Sequence, residues 1–250
     1  MTRRTMTSFA RPVITLIGRA MQEVRELSGI RKTSADDALY FGEFLDALHR
    51  SRLNGGSELA VGVSLFSLTV SIRAANVIEI GTFKGFSALA IASGLRLLDR
   101  GWPEPDWERS RPAIDYHKLF EPKPRRVYCI DPTPTPHAVE LIRSNNLTPY
   151  VSFITGRSEE VNLDVMADLI FIDGDHTYEG CRDDVEHFVS GNLRSGGYFV
   201  LHDYFGWYDD AGNNHSPIKR VCEELAAGGR YEHLLIDTYC ASMMVFRKLS

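Results

Sequence analysis

The chain has 250 residues, of which 44 % are apolar and 24 % are charged, and its 28 basic and 33 acidic side chains give a formal charge of −5. This length and composition fit one large α/β domain or two small ones and exclude disordered and collagen-like classes. No apolar run approaches the roughly 18 residues that span a bilayer, and the net negative charge argues against nucleic acid, so we expect neither a membrane nor a nucleic acid as partner.

The cysteines and the N-terminus indicate the compartment. Cys129, Cys181, Cys222 and Cys240 lie far apart and form no CxxC pair, so neither a zinc knuckle nor a disulfide framework is expected. Residues 1–22 contain four arginines and no acid and weakly resemble a targeting peptide. Their apolar part, Val13–Ile17, is too short for a signal core, which favours a basic N-terminal arm and a cytoplasmic protein.

Up to about residue 75 the apolar spacing predicts helices, at Asp36–Arg50 and Val61–Ile72. From residue 76 onward, short apolar strands alternate with helices. The strands are predicted at Asn76–Ile80, Arg126–Ile130, Val151–Thr155, Asp168–Ile172, Gly197–Leu201, Leu234–Ile236 and Met243–Phe246. The helices between them are predicted at Phe86–Leu98, Pro136–Asn145, Tyr178–Val189 and Pro217–Ala227.

Five strand–helix units and a terminal hairpin predict an α/β fold with a doubly wound, mostly parallel sheet of seven strands. Residues 1–75 are then a helical extension or cap, and residues 76–250 are the ligand-binding domain. A proline-rich insertion, Asp99–Arg125, lies in a helix-to-strand loop, which runs at the sheet edge opposite the ligand edge. We expect it to be an elaboration of the surface or a contact in a homo-oligomer.

The first motif follows the first strand and reads Glu79-Ile-Gly-Thr-Phe-Lys-Gly85-Phe-Ser87. Its two glycines let the backbone approach a ligand closely, and the helix that follows offers free N–H groups. An acid at this turn would repel a phosphate, so the motif favours an adenosine ligand with a positively charged group over a dinucleotide. The alternative interpretation is an ordinary glycine turn.

Two further motifs end neighbouring strands. Asp131 is placed to accept the hydroxyl groups of a ribose, although an acid before proline is also a good turn former. Asp173, Asp175 and His176 follow the fourth strand, and His202 and Asp203 follow the fifth. Such a convergence of oxygen donors suits Mg²⁺, and a histidine among them can act as a general base. The structural alternatives are that Asp175 caps a helix and that His202 is a buried core histidine.

These motifs, together with Gly196-Gly-Tyr-Phe-Val-Leu-His-Asp-Tyr204, resemble class I S-adenosylmethionine-dependent methyltransferases. Within that class the chain is most similar to the metal-dependent small-molecule O-methyltransferases, the group with catechol and macrolide-sugar enzymes. The resemblance covers roughly residues 60–247, with the motifs in the order of the family.

The resemblance implies a role for each matching position. The residues implied to line the methionine part of S-adenosylmethionine are Glu79, Gly81, Thr82, Phe83, Gly85 and Ser87, with Asp173 at the edge of the cofactor. Asp131 would hold the ribose, and the turn Gly156–Glu159 would flank the adenine, with Ser158 as the contact.

The resemblance also implies a divalent cation, with Mg²⁺ as the expected ion, bound by Asp173, His202 and Asp203. His176 lies three residues after Asp173, where catechol-type enzymes have a lysine base, and is therefore the expected proton acceptor. The family's fifth-strand pair is usually two oxygen donors, so His202 is a departure. In the alternative, His202 is the base and Asp175 completes the coordination.

The predicted reaction is the methylation of a hydroxyl group on a small-molecule acceptor. The aromatic loop Tyr204–His215 and the segment Pro132–His137 are expected to contact this acceptor, although the loop also fits a surface segment packed on the body. Two other functions fit parts of the pattern. One is a glycosyltransferase that uses Asp173-Gly-Asp175 as a D-x-D motif, and the other is a cofactor-binding partner subunit without methyl transfer.

Overall fold

The computed structural model describes residues 35–53, 57–100, 123–208, 214–238 and 242–249. Contacts divide the chain into two compact units, residues 1–46 with 101–121, and residues 47–100 with 122–250. The predicted N-terminal arm and most of the insertion at 99–125 lie outside the described residues. The elements reported below belong to the second unit, except for the helix Ala35–Leu53, which begins in the first unit. The predicted domain boundary after residue 75 stays a prediction.

The helices of the described residues follow the predicted order. They are α1 (Ala35–Leu53), α2 (Leu59–Ser71), α3 (Phe86–Asp99), α4 (Pro136–Ser144), α5 (Tyr178–Asp184) and α6 (Pro217–Ala227). Proline in the first turn begins α4 and α6, where its missing N–H has no helical partner to lose. The Thr135 and Thr177 side chains cap α4 and α5 by accepting hydrogen bonds from backbone N–H groups.

The strands form one seven-stranded sheet and a short hairpin. They are β1 (Asn76–Ile80), β2 (Arg126–Asp131), β3 (Val151–Thr155), β4 (Ala167–Ile172), β5 (Leu193–His202), β6 (Trp207–Tyr208), β7 (Asn214–His215), β8 (Tyr231–Ile236) and β9 (Met243–Lys248). The sheet has the order β3-β2-β1-β4-β5-β9-β8, and β9 runs antiparallel to both of its neighbours. The chain order reverses direction between β1 and β4, where a doubly wound sheet opens a crevice for ligands. The predicted fold class is confirmed.

The central strands are buried on both faces, as expected for parallel strands covered by helices. Every residue of β4 is buried, and Phe171, Phe199 and Phe246 are among the largest fully buried side chains. The rings of Phe199 and Phe246 stack with centroids 4.8 Å apart. This core holds the carboxyl ends of β1, β4 and β5 in a fixed relation, which positions the side chains that follow them.

Helix α2, which the sequence placed before the sheet, packs closely on α3. A Cβ atom on Gly94 of α3 would lie 3.0 Å from Cγ2 of Thr69 and 3.2 Å from the carbonyl oxygen of Phe66. Only glycine allows this approach of the two helices without displacement of α2. The segment just before α2 therefore lies at a fixed place beside the sheet.

Several elements differ from the predictions, and β8 begins at Tyr231, three residues before the predicted start at Leu234. The helix predicted at Tyr178–Val189 is α-helical only to Asp184 and continues as one π-helical turn, Val185–Val189. Strand β5 begins at Leu193, four residues before the predicted start at Gly197. The predicted loop Tyr204–His215 contains the hairpin of β6 and β7, with residues 209–213 outside the described part. Over the described residues, no helix combines the length and apolar character needed to cross a membrane.

Candidate active site

A large cavity opens at the carboxyl ends of the central strands, where the topology places ligands. Its volume is about 1030 Å³, at the upper end of the roughly 300–1,000 Å³ of small-molecule sites. The wall is formed by Gly81 and Phe83 after β1, Asp131 after β2, the whole turn Gly156–Glu159 after β3, and the segment Asp173–Thr177 after β4. The ends of β1, β2, β3 and β4 named from the sequence thus meet around one cavity, whereas His202 and Asp203 after β5 are not among its lining residues.

The glycine turn after β1 is shaped by the neighbouring strand. Gly81 has a φ of +84°, and a Cβ atom there would overlap the carbonyl group of Asp173. Its N–H donates a hydrogen bond to the carbonyl oxygen of Ile130 at 2.9 Å. Gly85, with a φ of +82°, brings α3 against Ala138, which lies 3.1 Å from the Cβ position. Both glycines are therefore required by the packing of this turn.

Glu79 lies beneath the cavity and is fully buried. Its Oε2 accepts a hydrogen bond from the Thr82 hydroxyl at 3.1 Å, and its Oε1 has no hydrogen-bond partner among the described residues. Burial raises the pKa of this carboxyl to about 7, against smaller opposing effects of the Cys129, Ser87 and Thr82 side chains. Glu79, Thr82, Gly85 and Ser87 do not form the cavity wall, and their predicted contact with the cofactor stays a prediction.

Asp131 binds the backbone of the same turn. Its Oδ2 accepts hydrogen bonds from the N–H groups of Thr82 at 3.0 Å and Phe83 at 2.8 Å, and its Oδ1 accepts one from Thr133 at 2.7 Å. The carboxylate lies in the cavity wall, so a ribose would share it with these three donors. The turn-forming role considered from the sequence is present in the structure, and the ribose contact stays a prediction.

The polar residues after β4 and β5 form one cluster. His176 lies between two carboxylates, with Nε2 at 3.2 Å from Oδ1 of Asp173 and Nδ1 at 3.4 Å from Oδ2 of Asp203. His202 directs Nδ1 toward the same pair, at 3.0 Å from Oδ1 of Asp173 and 3.4 Å from Oδ1 of Asp203. Ligand atoms of Asp173, His176 and Asp203 all lie within 4.8 Å of one another. The predicted convergence of these side chains is observed.

Each member of this Asp–His cluster shifts the charge state of the others. Burial disfavours the protonated imidazole of His202, but the two carboxylates outweigh this effect and raise its pKa to about 9. The hydrogen bond to Asp173 raises the pKa of His176. Burial alone would raise the pKa of Asp173, but the two imidazoles hold it below its ordinary value. The carboxylates thus favour the protonated forms of both imidazoles.

Asp175, the candidate for completing the coordination in the alternative scheme, binds the backbone of its own turn. Its Oδ1 accepts a hydrogen bond from the N–H of Thr177 at 2.9 Å, and a Cβ atom on Gly180 would overlap its carboxyl group. This carboxylate therefore shapes the turn before α5, but the cap of the helix is Thr177 and not Asp175, so the structural alternative was wrong about the capping residue. Asp175 lines the cavity but is not part of the Asp–His cluster.

Two residues of the site were not singled out from the sequence. Ser57, just before α2, places its hydroxyl 3.4 Å from Nε2 of His202. Asp184, at the end of α5, is buried in the cavity wall with its Oδ2 unpartnered among the described residues. Burial raises the pKa of the Asp184 carboxyl to about 6. Asp184 lies three residues after Cys181 on the same helix, and this spacing could have indicated that it faces the core. The sequence gives no signal for Ser57.

With this geometry established, comparison with known proteins defines the class. A sheet of this order with a cofactor-sized cavity at its carboxyl edge has the fold of class I methyltransferases, and several solved structures share it. The O-methyltransferase TomG from Streptomyces achromogenes, in complex with SAM, is 17 % identical, with a TM-score of 0.58 over 83 % of this chain and 90 % of that chain. An O-methyltransferase from Bacillus cereus, in complex with SAH, is 19 % identical, with a TM-score of 0.56 over 82 % and 91 %.

A putative caffeoyl-CoA O-methyltransferase from Staphylococcus aureus is 18 % identical, with a TM-score of 0.55 over 93 % of this chain and 99 % of that chain. No curated protein sequence matches the chain. A family model described as a methyltransferase domain matches residues 78–204, half of the chain, from β1 to just past β5. The chain therefore belongs to this family of methyltransferase domains.

Proposed function

We propose that this protein transfers a methyl group from S-adenosylmethionine to a hydroxyl group of a small molecule, with the help of a divalent cation. The observation that carries the proposal is the convergence of two carboxylates and two imidazoles, Asp173, Asp203, His176 and His202, beside a cavity of cofactor size. The O-methyltransferase names of the structural neighbours, two of them bound to SAM or SAH, support the same chemistry.

The cavity fits a positively charged adenosine ligand. Its wall contains the acidic side chains of Asp131, Glu159, Asp173, Asp175, Glu179, Asp183, Asp184 and Glu186. The net charge of these groups attracts the ammonium and sulfonium groups of S-adenosylmethionine and opposes a diphosphate. When bound, S-adenosylmethionine supplies an electrophilic methyl group. The turns after β1 and β3 would bind its two ends, with Ser158 in the wall at the β3 end.

The donor set also fits a divalent cation. Asp173 and Asp203 provide carboxylate oxygens from the ends of β4 and β5, which the buried core holds in place. A cation bound there lowers the pKa of a hydroxyl group that coordinates it. The chain's contribution is to hold these two carboxylates close to each other, both within 3.4 Å of His176, and to neutralise the charge of the ion.

The two histidines differ in access, which suggests a division of roles. The His176 side chain is 40 % exposed and lines the cavity, whereas the His202 side chain is 7 % exposed. We therefore assign His176 as the group that accepts the hydroxyl proton and His202 as a ligand. In the alternative assignment, His176 binds the ion and His202 accepts the proton. The position of His176 within reach of both carboxylates supports this alternative.

The remaining candidate functions fit less well. A D-x-D glycosyltransferase needs both carboxylates of Asp173-Gly-Asp175 on one ion, but Asp175 binds the backbone N–H of Thr177. A partner subunit without methyl transfer would bind the cofactor in the same way as an enzyme. Only measurement of turnover separates this last possibility from a methyltransferase.

Calorimetry tests the proposal with S-adenosylhomocysteine and a UDP-sugar, each with and without a divalent cation. We expect heat from S-adenosylhomocysteine alone, and product formation with S-adenosylmethionine and a panel of phenolic and sugar hydroxyls only when the cation is present. Binding of the UDP-sugar instead of S-adenosylhomocysteine would reject the methyltransferase function. Binding of S-adenosylhomocysteine without turnover of any acceptor would favour the partner subunit.

A further inference from the structure

The ion site contains nitrogen donors where a magnesium site would be built from oxygen. Mg²⁺ takes octahedral oxygen coordination and retains several waters, whereas imidazole is a good ligand for Fe²⁺, Co²⁺ and Zn²⁺. Beside the carboxylates of Asp173 and Asp203, the described residues place two imidazoles within 3.4 Å of carboxylate oxygens. The identity of the ion therefore depends on whether an imidazole is a ligand.

The orientation of His202 is that of a ligand. Its Nδ1 faces both carboxylates, at 3.0 Å from Asp173 and 3.4 Å from Asp203, and its Nε2 faces the hydroxyl of Ser57 at 3.4 Å. A metal-bound histidine uses one ring nitrogen for the ion and donates the N–H of the other to a polar partner, which fixes its tautomer and orientation. Ser57 is such a partner for Nε2. Without an ion, Nδ1 shares a proton with the Asp173 carboxylate, and an ion bound between the carboxylates would take the place of that proton.

The charge balance of the site agrees with this assignment. Two carboxylates neutralise one divalent ion, and a neutral imidazole adds a third ligand without adding charge. His202 is 7 % exposed and the two carboxylates are about 20 % exposed, so a neutral ion complex is favoured there over a charged one. A third carboxylate at position 202, as in an all-oxygen site, would leave one negative charge in excess.

We propose that His202 is a metal ligand through Nδ1, held by Ser57, and that the site therefore selects a first-row transition ion such as Fe²⁺, Co²⁺ or Zn²⁺ over Mg²⁺. This inference rests on the proposed function, since it specifies the ion of the same site. It replaces the Mg²⁺ expected from the sequence, and it makes Ser57 a positioning residue for the ligand.

Calorimetry on the metal-free full-length protein tests the selectivity with Co²⁺, Zn²⁺ and Mg²⁺, and it needs no turnover. We expect Co²⁺ to bind at least about 100-fold more tightly than Mg²⁺, because imidazole favours the transition ion. In His202→Asp the preference should shrink to about tenfold or less, and Ser57→Ala should weaken Co²⁺ binding by about tenfold. His233→Asp, on the exposed face of β8, is the matched control and should keep the wild-type preference.

Pulsed electron paramagnetic resonance with Mn²⁺ as a probe identifies the ligand directly through coupling to ¹⁴N. His176→Gln should keep this coupling and His202→Asn should lose it, with melting temperatures confirming that both variants are folded. The reverse pattern, or tighter binding of Mg²⁺ than of Co²⁺ by the wild type, would overturn the inference. If S-adenosylhomocysteine also gave no heat with the same protein, the proposed function itself would be wrong.

Discussion

The two halves of the candidate site use their acidic side chains in different ways. On the β1–β2 side, Glu79 is fully buried, and the Asp131 carboxylate accepts three backbone N–H groups. On the β4–β5 side, Asp173 and Asp203 face two imidazoles and remain about 20 % exposed. The first half thus uses its carboxylates to hold the fold, with Asp131 also in the cavity wall, whereas the second half directs its carboxylates toward the imidazoles. Strand-end acids with the same sequence signal can therefore serve either stability or chemistry.

The largest expected effect comes from removal of a carboxylate on the β4–β5 side. Asp173→Asn should lower kcat by about 10³-fold or more, because the loss of a charged ligand removes several kcal/mol of transition-state stabilisation. Steady-state kinetics with the identified acceptor measures this effect. Asp175→Asn is the matched variant two residues away, and its activity should stay within about tenfold because the amide oxygen still accepts from Thr177. Equal losses in both variants would support the alternative in which Asp175 binds the ion.

The two histidines of that side should respond differently to chemical rescue. His176→Ala should lower kcat by about 10²- to 10⁴-fold, the usual contribution of a general base, with a smaller effect on KM. Imidazole in solution should restore part of the rate, because the site of His176 opens to the cavity. His202→Ala should show no rescue, since that side chain is only 7 % exposed. If imidazole rescued His202→Ala and not His176→Ala, then His202 would be the base and His176 the ligand.

On the β1–β2 side the expected effect is on stability. Glu79 has a folded-state pKa of about 7 against an ordinary value of 4.5, so the folded protein binds the proton more tightly than the unfolded chain. The free energy of unfolding should therefore fall as the pH rises from about 4.5 to 7, by on the order of 3 kcal/mol from this group. Glu79→Gln should remove that part of the pH dependence.

Urea unfolding of the wild type and of Glu79→Gln at about pH 5 and pH 8 measures this difference. The variant should gain stability relative to the wild type at the higher pH. An unchanged difference between the two proteins across this range would show that Glu79 is not held in a dry environment. The assignment of this side to the fold would then be wrong.

Asp184, in the cavity wall, should show the same dependence of stability on pH, with a smaller magnitude. Its pKa of about 6, against an ordinary 3.8, places the loss of stability between about pH 4 and pH 6. Because the carboxyl is in contact with the cavity, we expect on the order of 2 kcal/mol from this group. Asp184→Asn should abolish that contribution in the same urea experiment, and Glu223→Gln, an exposed carboxylate on α6, is the control. A wild-type pH dependence in Asp184→Asn would contradict the assignment.

The sequence was sufficient for the fold class and for the residues that end the central strands. Alternation of apolar strands with helices predicts a doubly wound sheet, and the polar residues after β4 and β5 must then meet at one edge. This is why the sequence places Asp173, His176, His202 and Asp203 together, although it also included Asp175, which lies outside the cluster. The hairpin of β6 and β7 and the π-helical turn after Asp184 were missed, because both depend on contacts that local spacing does not encode.

The direction of each side chain was harder to predict than its position. Glu79 and Asp131 are predicted to face the cofactor, and Asp131 does line the cavity while it also binds its own turn. The rule that strand ends face the ligand does not say whether a carboxylate turns toward the cavity or toward its own loop. Ser57 reaches His202 across 145 positions of sequence, so only the packing of α2 on α3 brings the two together. The proposed selectivity for a transition ion over Mg²⁺ rests on this contact between Ser57 and His202.

A crystal structure of the protein grown with S-adenosylhomocysteine and Co²⁺ tests the difference between the two halves most directly. Anomalous scattering should locate the ion between Asp173 and Asp203, with Nδ1 of His202 among its ligands. S-adenosylhomocysteine should fill the cavity from the Gly81 turn to the turn of Ser158, with Glu79 still buried beneath it. An ion at Glu79 or Asp131, or a cofactor bound outside this cavity, would contradict the account.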